Sequence, residues 1–278
     1  MYRRLIVPTA LFHGLVLLAA LAVLGGCARA PAPRLFPQAP SDVTRQTDAL
    51  LPADVILLGE QHDAAEHQAI HRDVIEHLAV RGQLGAVALE MADAGRSTAS
   101  LKSNSTQLQV QAALGWSDKA WPWDSYGPAV MVAVKAGVQV LGANLPAGQM
   151  REAMADGRLD QQLRAPALET QRELMRSSHC GLLPESQLAP MARIQIARDM
   201  SMARTIAQAA LPGKVVVLIA GSGHVDLSLG VPQHLPTGLL VKAVQLKAGE
   251  AGPAGTAFDA VWTTPPLPPK DYCQALRK

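Results

Sequence analysis

Four short, almost unbroken apolar runs recur along the chain: Val55-Ile56-Leu57-Leu58, Ala86-Val87-Ala88-Leu89, Val138-Gln139-Val140-Leu141 and Val215-Val216-Val217-Leu218-Ile219-Ala220. Runs of this length with no polar alternation are what strands covered on both faces require. The stretches between them are long enough for helical crossovers, so the pattern predicts an α/β fold with a central, largely parallel sheet flanked by helices. Two later runs, Leu239–Val244 and Phe258–Trp262, are expected to complete the sheet as edge strands. Between about Pro146 and Leu188 strand signals are missing. A small helical subdomain is expected there, with a helix over Ala167–Ser177, followed by a long helix over Ser186–Leu211 that Pro212-Gly213 ends.

Helical spacing adds detail after the first strand. Ile70, Val74, Ile75 and Leu78 define one apolar face, and His67 and His71 fall inside it one turn apart. His71 reads as a core histidine, as does His77 at the edge of the face. For His67 a structural and a functional role are equally open.

The N-terminus has a different pattern. Arg3 and Arg4 precede an apolar stretch from Leu5 to Leu24, and Leu24-Gly25-Gly26-Cys27 follows. Residues 1–26 read as an export signal, and their ending resembles the bacterial lipobox, which makes Cys27 the expected lipidation site. The competing reading is a membrane-spanning helix; Pro8, Gly14 and the lipobox-like ending count against it. Ala28 after Cys27 points to the outer membrane, with the protein facing the periplasm. Pro31, Pro33, Pro37 and Pro40 lie in a stretch without apolar periodicity, so residues 27–50 read as a tether to a domain spanning 51–278. With Cys27 used for lipid, Cys180 and Cys273 remain in an oxidising compartment and are expected to form a disulfide. A net charge of only +2 gives no basic footprint for nucleic acid.

Candidate chemistry follows the strands. The first run ends in Gly59-Glu60-Gln61-His62-Asp63, the second in Glu90-Met91, the third in Gly142-Ala143-Asn144 and the fourth in Gly221-Ser222-Gly223-His224. Ligands of open parallel sheets bind outside the carboxyl ends of the strands, so Glu60, His62, Glu90, Asn144 and His224 are expected on one edge. Carboxylates beside imidazoles suit a divalent metal, with Glu60, His62 and His224 as ligands, or a shared set of protons. No Gly-rich phosphate loop is present, because Gly221-Ser222-Gly223 lacks a third glycine. Three of the four tryptophans, Trp116, Trp121 and Trp123, cluster with Tyr126 in a chain only 4% aromatic. The cluster is either a small hydrophobic core under a loop or a flat surface for a planar ligand. Tyr2 lies in the signal and Tyr272 adjoins Cys273, which leaves Tyr126 as the tyrosine placed to ligate a haem iron.

These residues resemble the ChaN-like haem-binding lipoproteins, whose superfamily includes the TIKI/TraB proteases and erythromycin esterases. The matching motifs are Leu57-Leu58-Gly59-Glu60-Gln61-His62-Asp63, Ala88-Leu89-Glu90-Met91 and Trp123-x-x-Tyr126-x-Pro128. They continue with Gln195-x-x-Arg198-Asp199-x-x-Met202-Ala203, Ala220-Gly221-x-Gly223-His224-Val225 and Gly230-Val231-Pro232. Their order and spacing cover nearly all of the mature chain. The resemblance implies an α/β core with a helical subdomain, and haem bound at the envelope between two protomers. It also implies a task in haem and iron uptake or storage with envelope partners, and it places Arg198 and Asp199 in the site. In the enzyme branches of the superfamily the Glu-x-His and Gly-x-x-His motifs belong to the catalytic site, so a metal-dependent hydrolase is the alternative. Gly95-Arg96-Ser97 departs from the family pattern, where glutamines follow the Glu-Met strand end.

Overall fold

The apolar runs pair into one six-stranded sheet in a computed structural model that describes residues 42–252 and 255–277. The strands are β1 (Val55–Glu60), β2 (Leu84–Asp93), β3 (Gln139–Asn144), β4 (Val215–Gly221), β5 (Val241–Ala248) and β6 (Ala260–Thr264). Their order is β3-β2-β4-β1-β5-β6, and every pairing is parallel. The α/β architecture expected from the sequence is therefore observed. One placement differs: β5 is an interior strand between β1 and β6, and the edges are β3 and β6. Lys242 and Gln245 interrupt its hydrophobicity, and both are only partly exposed.

Each residue of β1 and β4 is buried, because both sheet faces are covered. On one face Ile56, Leu58, Val87, Leu89, Val217 and Ile219 pack against α2 (Ala65–Val80) and the later helix Trp123–Lys135. On the other, Val55, Leu57, Ala88, Val216 and Leu218 meet Met202, Ala203 and Ile206 of the long helix Glu185–Ala209. A fully buried leucine or isoleucine contributes about 1.5–3 kcal/mol, so this alternation fixes which side chains point up at the strand ends and which point into the core.

The tether expected over residues 27–50 is corrected at its C-terminal end. Asp42–Leu50 forms a helix, α1, that buries Thr47 and Leu50 and pairs Asp48 with His77 of α2 at 2.8 Å. Val43, Thr47 and Leu50 give one short amphipathic face that a nine-residue segment barely registers. The signal, Cys27 and the rest of the tether lie outside the described residues.

After β2 come α3 (Gln107–Leu114) and α4 (Trp123–Lys135). Between β3 and β4 the chain forms α5 (Met150–Ala155), α6 (Ala165–Ser178) and α7 (Glu185–Ala209), with a satellite cluster of Met175, Leu188 and Ala192 where α6 meets α7. The Cys180–Cys273 disulfide is present and ties the chain after α6 to the C-terminal tail.

The strand order creates the crevice. From β1 the chain passes over β4 to reach β2, and from β4 it passes over β1 to reach β5. α2 covers one face, while Val225, Val231 and Leu235 after β4 pack on the other. Connections leaving two neighbouring strands toward opposite sides open a gap at their carboxyl ends, here between Glu60 and its register partner Gly221.

Candidate functional site

Glu60, at the last position of β1, is the hub of this crevice. Its Oε1 accepts from His62 Nδ1 at 2.7 Å and from the Tyr126 hydroxyl at 2.6 Å, and its Oε2 accepts from Gln68 Nε2 at 2.9 Å. Burial alone pushes a carboxyl up. The His62 bond, the charge of nearby His71 and the Tyr126 bond outweigh it and hold Glu60 below the usual carboxylate range.

Glu90, at the end of β2, belongs to a second chain of contacts. Its Oε2 accepts from the Gly221 N–H at 2.8 Å, and its Oε1 lies 3.4 Å from His224 Nε2. His224 Nδ1 meets Asp199 Oδ1 of α7 at 2.6 Å. Burial works against charge in all three groups. The carboxylates nonetheless raise His224 to about 10, and His224 lowers Glu90 to about 2. For Asp199 burial prevails, and its carboxyl is pushed up to about 6. A buried imidazolium clasped between two carboxylates is the result.

Local chain geometry explains the motifs. A Cβ on Gly59 would stand 2.3 Å from Val225 Cγ2 and 2.9 Å from Ser222 Cα, so only glycine lets β1 and the turn after β4 close on each other. A Cβ on Gly221 would stand 3.0 Å from His62 Nε2, so glycine there keeps the approach to that nitrogen open.

The strand-end residues expected on one edge are brought together, with different tasks. His62 is the exposed member: its side chain is 42% exposed, its ring meets Trp121 edge-on at 4.9 Å, and Nε2 has no hydrogen-bond partner among the described residues. Burial lowers its pKa, but Glu60 and Glu90 raise it more, leaving it above the ordinary histidine value. Asn144 ties strand ends together through a 2.9 Å bond from Nδ2 to the Glu90 carbonyl. Arg198 keeps a buried Nε without a partner among the described residues and acts on Asp199 by charge. His67 is structural, accepting from the Gln61 N–H and bonding Thr264. His71 is fully buried, 3.7 Å from Glu60, with both ring nitrogens unpartnered among the described residues; burial drops it to about 4.

Tyr126, in the first turn of α4, is 2% exposed and donates its proton to Glu60. Desolvation and the Glu60 charge both push its hydroxyl far above the ordinary range. One expectation is corrected by these contacts: the Glu60–His62–His224 metal set is not formed. Glu60 is committed to His62 and Tyr126, and His224 to Asp199 and Glu90. Among the described residues no group of three or more His, Cys, Asp or Glu side chains is arranged to hold a metal ion. Ser222 donates to the Glu60 carbonyl at 3.2 Å rather than facing a base. The hydrolase alternative is not favoured by this arrangement.

Trp123 packs in the core, with Nε1 on Gln107 Oε1, whereas Trp121 is only half-buried and pairs with both His62 and Tyr126. Gln68 was missed by sequence reasoning. It lies one turn before His71 on the same buried face of α2, so a count of polar residues on that face would have found it.

Fold and site together define an α/β protein with a paired, charged crevice at the switch point of a parallel sheet. The family model described as "Haem-binding uptake, Tiki superfamily, ChaN" matches residues 47–235, and the chain belongs to that family. Among solved structures it is similar to one described as "Cofacial heme binding to ChaN of Campylobacter jejuni", at 26% identity over 75% of this chain and 87% of that one, with a TM-score of 0.63. It is also similar to the type III effector HopBA1, at 16% identity over 81% and 94% of the two chains and a TM-score of 0.48. An erythromycin esterase mutant in its open conformation matches at 16% identity over 76% of each chain, with a TM-score of 0.41. No curated protein matches.

Proposed function

We infer that this chain is a haem-binding protein of the bacterial envelope, holding haem at the mouth of the β1–β4 crevice with His62 as the iron ligand. One observation carries the reading. His62 gives one ring nitrogen to a buried carboxylate and leaves the other unpartnered beside a glycine. A metal-ligating histidine is built this way, its second nitrogen held by a carboxylate that fixes tautomer and orientation. Trp121 beside His62 supplies apolar, planar surface for a porphyrin. Tyr126 supports His62 indirectly, by helping to fix Glu60. The family and the ChaN neighbour support haem as the ligand.

Hemin titration of the purified protein, followed at the Soret band, tests this reading. Saturable uptake is expected in the natural sequence and in Tyr126→Phe, with the ligand-dependent spectrum lost in His62→Ala. An unchanged spectrum in His62→Ala removes His62 as ligand.

Export, cleavage before Cys27 and lipid attachment there complete the proposal, with the protein at the outer membrane facing the periplasm and passing haem to envelope uptake components. The Cys180–Cys273 disulfide supports an oxidising compartment. Labelling with a radioactive fatty acid should mark the natural chain and not Cys27→Ser. Sizing with and without hemin tests the expected pairing of two protomers.

A further inference from the structure

A second opening lies on the far side of His224, between the insert and the long helix. It is a cleft of about 390 Å³ walled by Gln171, Leu174 and Met175 of α6 and by Gln195 and Asp199 of α7, with His224 at its base. Packed interiors leave few voids much larger than a water molecule, and buried polar groups are nearly always partnered. Here a cleft opens beside polar side chains that reach solvent rather than partners within the protein. Gln171 is 7% exposed and Asp199 2% exposed. Neither the Gln171 amide, nor the Gln195 amide, nor Asp199 Oδ2 has a hydrogen-bond partner among the described residues.

The charges indicate what fills the cleft. Both ring nitrogens of His224 are engaged, Nδ1 by Asp199 and Nε2 by Glu90, so the imidazolium has no N–H left for an anion. Glu90 and Asp199 are balanced by the His224 imidazolium and the charge of Arg198, and the acceptor left to the cleft is the second Asp199 carboxylate oxygen. Guanidinium groups do not line the cleft: Arg176 pairs with Glu173 and Glu185, Arg172 pairs with Glu169, and Arg198 acts on Asp199 from outside it. Leu174 and Met175 offer apolar wall to the rest of the ligand.

We propose that this cleft binds a small primary amine with an apolar body, its ammonium on Asp199 Oδ2 and the Gln171 and Gln195 amides, its chain along Leu174 and Met175. His62, Glu60 and Trp121 do not line this cleft, which distinguishes it from the mouth proposed for haem, while the His224–Asp199 pair borders both. No bond is made or broken.

Calorimetric titration of the whole protein with hexylamine, hexanol and hexanoate tests the assignment. Hexylamine is expected to bind saturably, hexanol at least about tenfold more weakly, since a charge-assisted bond is roughly twice as strong as a neutral one, and hexanoate not at all. Asp199→Asn should weaken hexylamine by at least about tenfold. Because that change also disturbs His224, Leu174→Trp serves as the second variant: Leu174 lines the cleft at 40% exposure, outside the Met175–Leu188–Ala192 cluster, so the larger ring fills the cleft without altering charge and should abolish hexylamine binding while hemin uptake persists. Hexanoate binding as well as hexylamine, or hexylamine binding unaffected by Leu174→Trp, overturns the proposal. Loss of hemin uptake in Leu174→Trp also overturns it, by making the cleft part of the haem site.

Discussion

Replacing Glu90 by glutamine removes one charge and almost no volume, and the replacement can still accept from the Gly221 N–H through its amide oxygen. What it takes from His224 is the carboxylate 3.4 Å from Nε2. Glu90 titrates at about 2 instead of its ordinary 4.5, and at about 1.36 kcal/mol per unit that depression corresponds to roughly 3 kcal/mol of interaction. Glutamine also escapes the cost of burying a charge, and His224 keeps Asp199, so the net loss should be about 2 kcal/mol rather than the roughly 3–5 of an orphaned buried ion. The sign of the pH dependence follows from linkage. Glu90 has a depressed pKa, so its contribution is present above about pH 4.5 and is lost as pH falls toward 2. His224 has a raised pKa, so its contribution is complete below its ordinary 6.5 and is lost as pH rises toward 10. Asp199 titrates in both proteins and largely cancels. The difference between natural protein and variant should therefore be greatest between about pH 4.5 and 6.5 and shrink on both sides. Urea unfolding followed by tryptophan fluorescence across this range measures it. A difference that is absent, or flat with pH, would refute the imidazolium clasp.

Other substitutions probe separate parts of the structure. Tyr126→Phe removes one of three donors to Glu60 and should cost about 1–2 kcal/mol in urea unfolding, with hemin uptake retained. Gly59→Ala drives a methyl into Val225 and Ser222 and should destabilise by roughly 1–3 kcal/mol, read from the same transition. Cys273→Ser opens a link between residues 93 apart in sequence; chain entropy puts the loss at about 4.7 kcal/mol, and a reductant should give the same shift in the natural protein and none in the variant. Hemin affinity should fall as pH drops through the raised pKa of His62, because ligation needs the lone pair that the proton takes. Titrations at several pH values, with His62→Ala as reference, measure that slope.

The strands were readable because β1 and β4 are buried on both faces, and their continuous apolar runs carry that fact directly. β5 lies inside the sheet rather than at its edge, with Lys242 and Gln245 only partly exposed, because β6 pairs along it from Val244 onward. α1 was absorbed into the tether because its contribution to the core is one short face ending in Leu50. In the site, Glu60, His62, Glu90 and His224 were legible as strand-end residues, since parallel topology gathers such positions without knowledge of side-chain direction. Their pairing was not legible. Whether Glu60 meets Tyr126 or an open ligand depends on how α4 sits against α2, and the scarcity of tyrosines says nothing about which way a hydroxyl points. Gln68 and Trp121 depend on the same packing. The disulfide was readable by counting, because only two cysteines remained once Cys27 was set aside.

The most direct test of the account is the hemin titration of three proteins side by side: the natural chain, His62→Ala and Tyr126→Phe. His62 as iron ligand requires saturable Soret changes in the natural chain and in Tyr126→Phe, with the ligand-dependent spectrum lost in His62→Ala. Retention of that spectrum in His62→Ala, with its loss in Tyr126→Phe, would contradict the account.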